Sequence, residues 1–236
     1  MRRMMSIRRP LALLVLAVLW RATSATAETP PPSKWMELSL PATARNSFTQ
    51  PLPGTIEIAS ENSASFLYRT VDSGERNGRT LVWRWRVNRA PAPTDLTMNG
   101  MDDRPLAVHV WFGDQAGADW SPGRFLKSAA ARLLGFPPGR LITYVWSGTQ
   151  RRGDTFANPY ASDGAVVVLR GGDTGFGEWH DERVDLAADY RRLFGQDMQP
   201  PTHIAVSADT DDKGGTSLGA VAGLMFKHGR QTGSLP

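Results

Sequence analysis

The chain has 236 residues, with 27 basic and 23 acidic side chains, four histidines and no cysteine. Residues 1–27 hold five arginines and no acid, so the remainder balances 22 basic against 23 acidic residues. A near-neutral body without a basic stripe argues against nucleic acid as a partner. The missing cysteines exclude disulfides, thiol catalysis and a lipidated cysteine anchor.

The N-terminus reads as an export signal. Arg2, Arg3, Arg8 and Arg9 precede the unbroken apolar run at 11–20, and Ala25-Thr26-Ala27 supplies a small-x-small cleavage pattern. The apolar run is about half the length of a membrane-spanning helix. The expectation is a cleaved signal peptide over 1–27, a periplasmic or secreted protein and no membrane span after cleavage. Residues 28–33 contain Pro30-Pro31-Pro32 and read as a flexible leader. One domain is expected over 34–227, with a disordered tail at 228–236.

The body alternates short apolar segments with turn signals, the pattern of a β protein. Segments 55–60 and 65–70 read as an early strand pair joined by Glu61-Asn62-Ser63. The next strand is 79–87, with Leu81, Trp83, Trp85 and Val87 on one face and Val82, Arg84 and Arg86 on the other. A proline-rich loop at 90–105 leads into a strand at 106–112. There Leu106, Val108, Val110 and Phe112 oppose Ala107, His109 and Trp111. Helical spacing of Phe125, Leu126, Ala129, Ala130, Leu133 and Leu134 predicts an inserted helix over 124–134. Strands follow at 141–146, 165–170 and 178–184, with a glycine-rich turn at 171–177. Asp185 can cap a short helix over 186–194 that Gly195 ends. Strands at 203–208 and 218–226 complete the sheet, the second interrupted by Gly219 and Gly223. These elements predict a mainly β, antiparallel, jelly-roll-like β-sandwich with one or two short helices.

Candidate site residues fall into two groups. Asp209, Asp211 and Asp212, ahead of Gly214-Gly215, lie between two core strands and could ligate calcium, which favours clustered oxygen donors. The same aspartates could instead bond the amides of a solvated turn. Asp102-Asp103 is a second acid pair that would join them only if the sandwich brings both loops to one edge. The second group is Trp111, His109, Arg84 and Tyr144. Trp111 is a candidate sugar-stacking platform beside His109. His109, Arg84 and Tyr144 could form a proton-transfer set of a polysaccharide lyase, given convergent geometry. Trp83, Trp85 and Trp146 read as core. The four histidines lack zinc-ligand spacing, and there is no G-x-S-x-G elbow.

Several segments come in an order that resembles the bacterial domain-of-unknown-function family 3047. They are W-R-W-R-V at 83–87, Asp102-Asp103, Y-V-W at 144–146, E-W at 178–179, D-Y-R-R-L-F-G at 189–195 and S-A-D-T-D-D at 207–212. The resemblance covers about 66–226. The chain departs from the family pattern at Asp212, where Asn is usual, and at 124–134, which resembles a local elaboration. The resemblance implies an exported β-sandwich with the Asp209 loop as a shared feature, and no transferable activity. The expected function is binding of a carbohydrate or cell-envelope glycan. The alternatives are a polysaccharide lyase or hydrolase, and a structural envelope protein.

Overall fold

A computed structural model describes residues 34–113, 139–161, 163–172 and 175–228. The expected signal peptide, the leader, the helix read at 124–134 and the tail beyond 228 lie outside the described residues.

The described chain forms twelve strands and one helix. They are β1 Met36–Ser39, β2 Ser47–Thr49, β3 Thr55–Glu61, β4 Ala64–Thr70, β5 Thr80–Arg89, β6 Arg104–Phe112, β7 Leu141–Ser147, β8 Thr155–Ala157, β9 Gly164–Gly171, β10 His180–Asp185, α1 Leu186–Phe194, β11 Pro201–Asp209 and β12 Thr216–Lys227. They assemble as a seven-stranded sheet, β1-β4-β11-β6-β7-β9-β8, and a five-stranded sheet, β10-β5-β12-β3-β2. The chain crosses from one sheet to the other at most connections, as in jelly-roll architectures. The expected β-sandwich is the fold observed.

Alternation decides which face each strand buries. Leu81, Trp83, Trp85 and Val87 of β5 point inward and meet Tyr144 and Trp146 of β7. Trp83 lies 5.7 Å from Tyr144 and Trp85 lies 5.7 Å from Trp146, ring centroid to ring centroid. Large aromatic rings at such spacing fill the interior and add edge-and-tilt contacts beyond area burial. Leu106, Val108, Val110 and Phe112 of β6 belong to the same core. The seven-stranded sheet also buries its other face. Leu96, Ala107, Val145, Val166 and Val168 cluster there, and Trp111, Leu141 and Ala205 form a second patch with Phe66, Tyr68 and Ala161.

Two expectations about pairing need correction. β3 and β4 are not a hairpin: β3 pairs with β2 and β12, whereas β4 pairs with β1 and β11. The Asn62 backbone N–H donates to Gly215 O and the Gly215 N–H returns to Asn62 Oδ1, which hold the link as a crossing between sheets. Secondly, β7 and β9 run parallel, the one parallel strand pair among the described residues.

Local signals held where expected. Asp185 Oδ1 accepts from the backbone N–H of Ala187 at 3.1 Å and of Ala188 at 3.0 Å, and Gly195 closes α1 at φ 68°. β12 slips register at Leu218/Gly219 and again between Ala222 and Met225, around Gly223 at φ 64°. No helix among the described residues is long and apolar enough to cross a membrane.

Candidate functional site

The residues named as a proton-transfer set do not converge. His109 and Tyr144 project from opposite faces of the seven-stranded sheet, because Tyr144 registers with Val108 and His109 with Thr143. Tyr144 is fully buried between the sheets, where its hydroxyl donates to Asp189 Oδ2 on α1 at 2.9 Å. Burial foremost, then the Asp189 carboxylate, pushes the Tyr144 phenol well above its usual range. Arg84 lies on the outer face of the other sheet, its guanidinium 4.5 Å from the Trp179 ring centroid; Arg86 stands 5.0 Å from the same ring. These are cation–π contacts.

His109 and Trp111 do stand together, with stacked rings 5.7 Å apart. Both are buried, Trp111 at 3% exposure, so Trp111 is packing rather than the open platform its face suggested. His109 Nε2 lies 2.8 Å from Ser207 Oγ and Nδ1 lies 3.1 Å from Thr143 Oγ1. One ring nitrogen donates and the other accepts, so the neutral imidazole satisfies both hydroxyls. Burial, with a smaller contribution from Arg104, lowers the His109 pKa well below its ordinary value.

The two acidic segments meet at one edge. Asp103 accepts the backbone N–H of Asp212 on Oδ1 at 3.0 Å and that of Lys213 on Oδ2 at 2.9 Å. Asp212 Oδ2 accepts from the Asp102 N–H at 2.9 Å. Arg104 Nη1 bonds Asp102 Oδ2 at 2.6 Å and lies 3.4 Å from Asp209 Oδ2. One carboxylate oxygen each from Asp103, Asp209 and Asp211 falls within 4.8 Å of the other two. The trio that converges therefore includes Asp103 and omits Asp212, whose carboxylate turns to Asp102. Burial first, and then Asp102 and Asp211 against Arg104, raises the Asp209 pKa well above its usual value.

A cleft absent from the sequence expectations opens where β7 and β9 end. Because these strands are parallel, both finish at the same end of the sheet. The cleft measures about 440 Å³ and is lined by Gly148, Thr149, Gln150, Arg151, Arg152, Leu169, Arg170, Gly171 and Gly172. That volume suits a small ligand or a few sugar rings. Beside it the buried Glu182 takes Arg170 Nε at 2.6 Å, Arg152 Nη2 at 3.3 Å and the Trp85 indole N–H at 3.2 Å. Arg151 makes no ion pair with any described residue; its backbone N–H donates to Asp154 Oδ2. The signal that could have revealed this cleft is the Arg151-Arg152 doublet set between Gly148 and Gly153.

A family model described as "Protein of unknown function (DUF3047)" matches residues 33–225. The chain belongs to this family. The match spans both the acidic edge and the arginine cleft, so both lie within the family's domain. No curated protein matches the chain. One similar solved structure is the xyloglucanase domain of NopAA, a type three effector from Sinorhizobium fredii, in complex with cellobiose. The likeness covers 84% of this chain and 99% of that one, at 7% identity and a TM-score of 0.43.

Proposed function

We propose that this chain is an exported, non-catalytic β-sandwich that binds an acidic cell-envelope glycan in the Arg151–Arg152–Arg170 cleft. The observation that carries the reading is the set of three arginines lining one open cleft, with Glu182 the buried carboxylate paired with Arg152 and Arg170. Guanidinium groups match carboxylate and phosphate oxygens through paired N–H bonds. Glu182 fixes Arg170 and the inner side of Arg152, while Arg151 and the 61%-exposed Arg152 are left to engage a ligand. Pre-positioned donors lower the ordering cost of binding. A glycan-processing enzyme is less well supported, because His109, Tyr144 and Arg84 occupy three separate surfaces.

The test is calorimetric titration with an oligogalacturonate and with a neutral glucan of equal length. The acidic oligomer should bind with an affinity that weakens as salt rises, and the neutral one should not. Arg151→Glu and Arg152→Glu should each weaken binding by about tenfold or more. Equal binding of both oligomers, or indifference to both substitutions, would overturn the reading.

A further inference from the structure

Five aspartates, Asp102, Asp103, Asp209, Asp211 and Asp212, crowd the edge where the 101–104 and 209–215 segments meet. Arg104 is the one cation that pairs with any of them among the described residues. Clustered acids alone say little, since exposed carboxylates often face water. Asp209 is different. It is 7% exposed, and its Oδ1 is buried with no hydrogen-bond partner among the described residues. A buried carboxylate oxygen without a partner is costly unless something positive fills the space before it.

We propose that Asp103, Asp209 and Asp211 hold a calcium ion, with Asp209 Oδ1 as its buried ligand. The spacing fits: oxygens bound to one calcium at about 2.4 Å can lie at most about 4.8 Å apart, and the three carboxylates meet that limit. The donors are all hard oxygens, with no sulfur or imidazole, which selects calcium or magnesium over zinc or copper. Asp211 is exposed and leaves the outer side open for water ligands, so the site can fill from solvent.

The frame around the trio is already rigid. Asp103 is fixed by the Asp212 and Lys213 amides. Thr210, next to Asp209, is fully buried and bonds Ser60 Oγ at 2.8 Å, while its N–H donates to Ser63 O. Asn46 Nδ2 donates to Ala208 O at 2.8 Å from the other side. Thr43 Oγ1 reaches Asp211 Oδ2 at 3.3 Å. A rigid site of few charged ligands belongs with the weaker, extracellular class of calcium sites, where dissociation constants are about 10⁻⁴–10⁻³ M. Such an affinity suits an exported protein. The ion would lock the 209–215 loop to the 101–104 segment and relieve repulsion between Asp209 and Asp211.

The experiment is thermal unfolding of the EDTA-treated protein during calcium titration, with calorimetry for stoichiometry. One ion per chain should bind, and Tm should rise by about 5 °C at saturation. Asp211→Asn, which relieves the same repulsion with Asp209, should hold or slightly raise the EDTA-state Tm and weaken calcium at least about tenfold. Asp209→Asn should hold or raise the EDTA-state Tm, by removing a buried negative charge beside Asp102 and Asp211 while Arg104 keeps Asp102, and abolish the calcium response. That pairing separates a lost ligand from a lost fold. Absence of heat and of any Tm shift at about 10 mM calcium, tenfold above the weakest such sites, would overturn the proposal. So would a full calcium response in Asp209→Asn, or an equal rise with magnesium in wild type and in both variants.

Discussion

The Tyr144 hydroxyl donates to Asp189 Oδ2 across 2.9 Å, joining the centre of β7 to the first turn of α1. Arg192 Nη2 also bonds Asp189, through Oδ1 at 2.8 Å. The buried phenol therefore satisfies its one donor by anchoring the helix over the sandwich. Tyr144→Phe keeps the ring in the core and removes only this bond. The expected cost is about 1.5 kcal/mol, the lower end for a bond to a charged group because Asp189 keeps Arg192. Urea unfolding should show a lower midpoint and an unchanged slope. Binding at the arginine cleft should be unaffected, because Tyr144 is not among the residues that line it.

His109 predicts an acid-side loss of stability. Its folded pKa lies well below the ordinary value of 6.5, chiefly through burial. Below about pH 6.5 the unfolded chain takes up this proton and the folded chain does not. The histidine's contribution is thus fully present above pH 6.5 and falls progressively as pH drops toward the folded value. His109→Gln keeps hydrogen bonding to Ser207 or Thr143 and cannot titrate. Unfolding free energies at pH 7.5 and pH 5.0 should differ less in His109→Gln than in wild type. An identical pH response in both would contradict the assignment.

What was legible in the sequence was what neighbouring residues decide. Asp185 and Gly195 mark α1 because capping is completed within one turn, and alternation in β5 and β6 named the inward faces correctly. What distant residues decide was not legible. The turn at Glu61-Asn62-Ser63 looked like a hairpin, but Gly215 converts it into a crossing. Trp111 lies on the face expected, yet alternation cannot say that its cluster with Leu141 and Ala205 packs against Phe66, Tyr68 and Ala161. β1, β2 and β8 have only three or four residues, too few to carry a period. The acid pairs were visible singly; their meeting depends on β6 pairing with β11 at Arg104 and Asp209.

Glu182 couples the stability of the sandwich to the charge of the cleft. Its carboxylate is almost fully buried, and it accepts from Arg170, Arg152 and the Trp85 indole. Glu182→Gln keeps the shape but leaves the partly buried Arg170 without its counter-charge. Breaking such a pair costs about 3 kcal/mol, discounted from the fully buried range because both arginines reach water. The same change removes a negative charge beside the Arg152 and Arg170 guanidiniums. Chemical denaturation should show the loss, and the folded variant should bind an oligogalacturonate more weakly than wild type, because Arg152 and Arg170 lose the carboxylate that positions them. Tighter binding by folded Glu182→Gln would mean that removing the negative charge outweighs that positioning.

Gly171 tests whether the cleft depends on close backbone approach. A Cβ at this position would lie 2.3 Å from Gln150 O, a backbone atom that cannot swing aside like a side-chain tip. Gly171 ends β9, and Gln150 belongs to the loop after β7, so their contact sets the distance between the two walls. Gly171→Ala must push these walls apart, at a cost of about 1–3 kcal/mol for overpacking. Arg151 and Arg152 move with the Gln150 loop, whereas Arg170 is held by Glu182. Binding of the acidic oligomer should therefore weaken in Gly171→Ala even where the protein is fully folded. Gly172→Ala is the control. Its Cβ would meet nothing within 4 Å, but its φ of 67° strains a side chain, so it should cost stability without changing the width of the cleft. If the two variants lost affinity equally, backbone strain rather than wall spacing would control the site.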